Sequence, residues 1–349
     1  MSSPRLLVFT QTVDLHDPVL GFFHGWLSAF SGAFPHIHVV CLKEGHHGLP
    51  ESIHVHSLGK ERGVGRMGYI WRFYRLAWSL RGEYDAVFVH MNPEYVVLGG
   101  LLWRLMGKRV YLWRNHWSSG LLTDIAVTLS HKTFCTSKSS YIAKFKKNVL
   151  MPVGIDTDIF KPVDGIMRKP MSVLSLGRIA PSKNIHVMLE AFKILKEKGI
   201  DFTASIYGDA LPKDASYLSA QKKYVTENGL EDRVYFYPGV PNRETPQIFS
   251  AHQIFLNASA SGMFDKTMFE AVCCGATTLA CSKDYGEFAG LTYTFDADDV
   301  QSLVARLEEY LAKSQESIQG EALSLRARIE ESHSLHALRN RLFQEMSTS

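Results

Sequence analysis

Cysteine is scarce in this chain: Cys41, Cys135, Cys273, Cys274 and Cys281 are the only five in 349 residues, and no two have C-x-x-C spacing. An odd number without metal-type spacing excludes a disulfide framework and a zinc ribbon, and fits a reducing compartment. Long apolar runs are lacking too. The best candidate for a membrane span, residues 95–106, falls short of the ~20 residues a bilayer requires and contains Arg104. The opening M-S-S-P-R-L-L-V-F-T has no signal-peptide pattern and leads into a strand-like segment. These absences predict a cytoplasmic protein, at most peripheral at the inner face of a membrane. His46 and His47 have no third ligand nearby and read as loop residues.

What is present is an ordinary globular composition, 46% hydrophobic and 21% charged, with its charge unevenly placed. Residues 1–150 hold 17 Lys and Arg against 9 Asp and Glu, hence +8; the remainder holds 21 against 26, hence −5. The basic first half predicts an anionic partner, and no nucleic acid is expected. The length suits two domains of about 150 residues each. Their expected limits are 1–152 and 153–330, with 331–349 a helix packing back on the first domain.

Residues 6–9, 37–42, 86–89 and 109–113 read as short apolar strands separated by helix-length segments, the alternating pattern of a mostly parallel sheet. Ligands of such sheets bind at the carboxyl ends of strands. Two loops there stand out. In residues 10–25, Gly21 either lets a ligand approach the backbone or simply opens an amphipathic helix. In W-R-N-H-W, residues 113–117, Arg114 and His116 suit sugar hydroxyls or a phosphate, although a structural histidine fits as well. Residues 59–81 are the most basic and aromatic stretch, with Arg72 and Arg75 on one helical face beside Ile70, Trp71, Phe73, Tyr74 and Trp78. Such a helix either packs on the sheet with a solvated arginine face or lies on an anionic membrane surface.

Residues 151–162, M-P-V-G-I-D-T-D-I-F-K-P, read as an interdomain linker. They contain a D-x-D triplet, Asp156 to Asp158, and residues 296–298 form a second. Such triplets can hold divalent metals, but in a linker the first fits better as the fixing of a turn. Further on, residues 172–176 form a strand and G-R-I-A-P-S-K-N follows as 177–184. A helix then runs to about Lys198, with Ile185, Leu189, Phe192 and Leu195 along one face. Gly177, Arg178 and Lys183 make a cationic loop at a helix start, which suits a diphosphate or is merely a charged turn. Three more βα units follow, with strands at 203–207, 234–237 and 254–256, exiting at Gly208, at Gly239-Val240 and at residues 261–275. That last stretch, S-G-M-F-D-K-T-M-F-E-A-V-C-C-G, reads as a loop and a helix opening near Lys266. Glu270 lies one turn inside, where a carboxylate can accept hydrogen bonds from a vicinal diol while the helix amides favour an anion.

The order G-R-I-A-P-S-K-N, Y-G-D, V-Y-F-Y-P-G-V and S-A-S-G-M-F-D-K-T-M-F-E-A-V-C-C-G resembles family 4 of the retaining glycosyltransferases. The linker resembles that family's linker too, and the first half does so more loosely, through R-N-H-W and the loop before Gly21. The resemblance implies the α/β GT-B fold, two Rossmann-like parallel-sheet domains facing a central cleft. It implies transfer, with retention and without metal or cofactor, of a hexose or hexosamine from a UDP- or GDP-sugar to a glycan or lipid-linked acceptor. It implies that Arg178 and Lys183 hold the donor diphosphate and Glu270 the ribose. Gly239 and Val240 would contact the base, and His116 and Gly21 would serve the sugar and acceptor from the first domain. Gly177, Gly208, Met263, Phe264, Asp265 and Lys266 would complete the donor site. One position departs: the family commonly carries a carboxylate eight residues before its ribose-binding Glu, and here that residue is Gly262. Asp265 is the nearby acid expected to take over part of that role. A GT-B epimerase or hydrolase, or a silent sugar-nucleotide binder, would share the same donor motifs.

Overall fold

The computed structural model describes residues 3–17, 20–118, 120–259, 265–297 and 299–347. The chain forms two compact units, Met1–Gly154 with His333–Ser349, and Ile155–Ser332. Gly262, Met263 and Phe264, expected in the donor site, lie outside the described residues, as does one residue of the second D-x-D triplet.

The first unit runs β1 (Leu6–Val13), α1 (Gly21–Phe30), β2 (Ile37–Glu44), β3 (Ile53–Ser57), α2 (Arg66–Ser79), β4 (Ala86–His90), α3 (Pro93–Leu105), β5 (Arg109–Trp113), α4 (Leu121–Leu129), β6 (Lys132–Cys135) and β7 (Asn148–Leu150). All seven strands are parallel, in the order β3-β2-β1-β4-β5-β6-β7. Alternate residues of β1 enter two cores, as expected of a parallel strand covered on both faces. Leu6 and Val8 pack with α1 and with the helix Leu335–Ser347, whereas Leu7 and Phe9 pack with α2, α3 and α4. The sequence does not reveal β3, because I-H-V-H-S alternates histidine with its apolar residues. Those histidines have a local use: His38 Nδ1 lies 3.0 Å from His56 Nε2 across the strands, and His38 Nε2 lies 3.0 Å from Glu83.

The second unit runs β8 (Lys169–Leu176), α5 (Ile185–Glu197), β9 (Thr203–Tyr207), α6 (Ala215–Glu227), β10 (Val234–Tyr237), α7 (Thr245–Ala251), β11 (His252–Asn257), α8 (Thr267–Cys273), β12 (Thr277–Ala280), α9 (Lys283–Ala289), α10 (Val300–Leu311) and α11 (Gln315–Ser332). Its five parallel strands are ordered β10-β9-β8-β11-β12. The apolar face read for α5 is buried in the core. Helix α11 buries Ile318, Ala322, Leu325 and Ile329, which recur at helical spacing, but the stripe is narrow and is blurred in the sequence by Gly320 and the exposed Leu323.

Gly154 closes the first unit with φ +74, and a side chain there would strike Leu338 and the Trp26 indole, whose Nε1 donates to the Gly154 carbonyl at 3.2 Å. Only glycine tolerates that conformation and that contact together. Just beyond it, Asp156 Oδ1 accepts the backbone N–H groups of Asp158 and Ile159, both at 3.2 Å, so this aspartate fixes a turn.

Candidate functional site

A pocket opens in the second unit at the carboxyl ends of β8, β9 and β11, lined by Gly177, Arg178, Lys183, Tyr207, Asn257 and Ser259 among others. The central strands of a parallel sheet end there, and the loops that follow supply its polar groups. Two of these loops cross closely. Gly177 N–H donates to the Tyr207 carbonyl at 3.0 Å and Gly208 N–H to the Tyr237 carbonyl at 3.0 Å, extending the ladder beyond the strands. Gly208 has φ +154, and a Cβ there would collide with the Gly177 carbonyl, so the floor of the site requires glycine.

Lys183 is aimed by an anion. Its Nζ lies 2.6 Å from Asp265 Oδ2, which also accepts from Asn257 Nδ2 at 3.0 Å, while Asp265 Oδ1 accepts from Thr267 N at 3.2 Å and Thr267 Oγ1 at 2.7 Å. Burial alone would raise the Asp265 pKa, but the charge and hydrogen bond of Lys183, with Thr267 and Asn257, hold it down to about 2. The start of α8 therefore already carries the protein's own carboxylate on one amide. Arg178 differs: it stands exposed at the rim, with no hydrogen bond or ion pair among the described residues.

Glu270 is 4% exposed and sits one turn into α8, its N–H bonded to the Lys266 carbonyl at 3.0 Å. Burial, with the nearby Asp265 charge, holds the carboxyl well above the usual carboxylate range, although Lys266 and a hydrogen bond from Asn242 in the loop after β10 oppose the rise. The same burial pulls the Lys266 ammonium down, with Glu270 opposing. Glu270 does not line the pocket itself, nor do Gly239 and Val240, which follow β10. Gly239 lies against the Asp209 carboxylate, where an added Cβ would come to 2.7 Å.

The sequence reading missed two contributors. Tyr207 and Tyr237 occupy paired positions on β9 and β10 and stack at 4.6 Å with 17° between planes; Tyr207 lines the pocket. Asn257, the one amide closing the apolar I-F-L-N run, ties Asp265 to the strand end and accepts Ser259 N–H at 2.9 Å. A residue with a polar tip at the last position of a strand, where the sheet's ligands bind, was the available signal in each case.

Gly21 and His116 belong to the first unit. Gly21 opens α1, its N–H bonded to the Asp17 carbonyl at 3.0 Å. His116 Nδ1 receives the Ser118 N–H at 3.0 Å and lies 2.6 Å from Ser118 Oγ. Burial and Arg114 lower its pKa, so the ring is neutral at pH 7, and accepting at Nδ1 places its proton on Nε2. Neighbouring Arg114 is half-buried, and its Nε has no partner among the described residues. Among the described residues, no group of three His, Cys, Asp or Glu side chains is arranged to hold a metal ion.

Residues 156–319 match the family described as glycosyl transferases group 1. The second unit is a group 1 glycosyl transferase domain. Mannosylfructose-phosphate synthase of Agrobacterium fabrum is 27% identical over 179 residues, which cover 46% of this chain and 39% of that enzyme. Alpha-monoglucosyldiacylglycerol synthase of Streptococcus pneumoniae is 28% identical over 161 residues, 42% of this chain and 35% of its own. The chain thus matches well under half the length of these curated relatives. Among solved structures, HepE of Anabaena in complex with UDP and glucose superposes with a TM-score of 0.79 at 17% identity, covering 99% of this chain and 100% of that one. Sucrose-phosphate synthase of Thermosynechococcus elongatus gives 0.78 at 14%, covering 98% of each. With one parallel α/β sheet in each unit and a group 1 glycosyl transferase match in the second, the chain has the GT-B fold.

Proposed function

We propose that the protein is a retaining glycosyltransferase that moves a hexose or hexosamine from a UDP- or GDP-sugar to a glycan or lipid-linked acceptor. The observation that carries this reading is the pairing of Arg178 and Lys183 over one pocket, at strand ends of a domain that matches the group 1 glycosyl transferases. Two cations there suit a diphosphate, whose charge grows as the glycosidic bond breaks; Lys183, already held in place, stabilises that charge without reorganising. Lys183 is held in place by Asp265, and Arg178 is free to close on the phosphates. Glu270, buried one turn into α8 beside Lys266, would hydrogen-bond the ribose diol. His116, neutral with Nε2–H outward from its Ser118 contact, would donate to a donor-sugar hydroxyl. The cations do the work a metal does elsewhere, so transfer should survive EDTA. The structural relative HepE binds UDP and glucose, which makes UDP the first nucleotide to try.

The test is incubation of the purified chain with UDP- and GDP-sugars and glycan or lipid extracts, reading the anomeric configuration of any product by NMR. Transfer with retention supports the reading, and inversion overturns it. Free sugar or epimer without transfer would favour a hydrolase or epimerase. Arg178→Ala and Lys183→Ala should each lower turnover by about 10²–10³.

A further inference from the structure

Helices α2, α3 and α4 pack side by side on one face of the first sheet. Phe73, Trp103 and Val127 point into a shared core, Tyr74 Oη donates to the Leu98 carbonyl at 2.9 Å, and Arg104 Nη1 donates to the Leu129 carbonyl at 3.2 Å. The outer side of this layer is not the polar surface that solvated helices present. On α2, Met67 is 79% exposed, Trp71 62% and Trp78 55%; on α3, Leu101 is 62% and Leu105 78%; on α4, Leu121 is 76%. The spacing of Met67, Trp71 and Trp78 keeps them on one helical face. Elsewhere in the molecule exposed apolar residues are scattered, which requires no explanation; a concentration on three adjacent helices does.

The charges on this layer say what covers it. Arg75 lies over the Trp71 ring at 5.0 Å and Arg81 over the Trp78 ring at 4.6 Å. Arg66 and Arg104 are exposed beside them, whereas Arg72 turns away to the Leu58 carbonyl at 3.3 Å. The layer's own acids are Glu94, exposed at the start of α3, and Asp124, which takes the Tyr141 hydroxyl at 2.8 Å. Indole rings with guanidinium groups stacked on them match a boundary where apolar chains meet anionic headgroups. A second copy of the chain on the same face would set arginine against arginine. No helix among the described residues is long and apolar enough to cross a membrane, so the contact would be one of lying on the surface.

We infer that the outer face of α2, α3 and α4 docks on an anionic lipid surface, with Trp71, Trp78, Leu101 and Leu105 entering the headgroup boundary and Arg75 and Arg81 pairing with lipid phosphates. This inference rests on the helical layer alone and is independent of the donor-site reading. It is tested by flotation of the full chain with vesicles of phosphatidylcholine, with and without phosphatidylglycerol. Binding should require phosphatidylglycerol and weaken as salt rises, and the double variant Trp71→Glu/Trp78→Glu should bind at least about tenfold more weakly. These side chains are exposed, so the variant should keep the parent's melting temperature, which confirms that it is folded. Arg75→Glu/Arg81→Glu should lose the salt-sensitive part. No dependence on phosphatidylglycerol, or equal binding by the tryptophan variant, would overturn the inference. So would a dimer in sedimentation that the tryptophan variant abolishes while vesicles capture neither protein.

Discussion

The two units of this protein place their polar and basic chemistry in opposite ways. In the second, Arg178 and Lys183 from the β8–α5 junction meet Asp265 from the β11–α8 junction, with Glu270 one turn further into α8, and all but Arg178 are held by partners. In the first, Arg75, Arg81, Trp71 and Trp78 stay on the outside of the α2–α4 layer, each arginine stacked on one of the two indoles. Convergent groups support each other, so changing one disturbs stability and chemistry together. Dispersed groups act by summed contact with something external, so each should change little in the isolated protein. Substitutions in the two units therefore separate the two behaviours.

The largest loss of stability is expected at Gly208. Alanine there must adopt φ near +154 against the Gly177 carbonyl, and a penalty of about 2–4 kcal/mol should appear as a lowered urea midpoint. Next comes Asp265. Its folded pKa lies below the unfolded value, so its contribution of about 2 kcal/mol is present above pH 4 and is lost as the pH falls toward 2. Asp265→Asn should flatten that part of the stability-pH curve and, by loosening Lys183, reduce turnover more than nucleotide affinity. A smaller effect is expected from Tyr237→Ala, which unstacks Tyr207 at the pocket and should cost about 1 kcal/mol in thermal unfolding. The smallest is Trp71→Glu in the first unit, expected within about 0.5 kcal/mol of the parent when no lipid is present. A large destabilisation there would mean that the layer is held together by its outer side chains, and the contrast between the units would fail.

How legible these features were depended on whether they are local. Strands β1, β2, β4, β5 and β8 to β11 are legible in the sequence, most of them as apolar runs because both faces of a parallel sheet are buried. Strands β3, β6 and β7 do not, since His54, His56, Lys132 and Asn148 interrupt them and only cross-strand pairing makes them strands. The cationic loop at Arg178 and Lys183 was readable from G-R-I-A-P-S-K-N. The tie from Lys183 to Asp265 was not, because it joins residues 82 positions apart. That tie also changes what Asp265 offers: its oxygens are already engaged by Lys183, Asn257 and Thr267, whereas the sequence suggested an acid available to the hexose. The amphipathic character of α2 was visible in residues 59–81, but its continuation onto α3 and α4 required knowing that the three helices lie side by side.

The donor pocket is tested most directly by isothermal titration of UDP and GDP into the full chain and its Arg178→Ala variant. Arg178 is exposed and makes no hydrogen bond or ion pair among the described residues, so the variant should fold like the parent. A charge-assisted hydrogen bond is worth about 1.5–3 kcal/mol, so one nucleotide should bind the parent and lose about ten- to a hundredfold in affinity with the variant. Binding of neither nucleotide, or equal affinity for parent and variant, would contradict the assignment of this pocket to a nucleoside diphosphate.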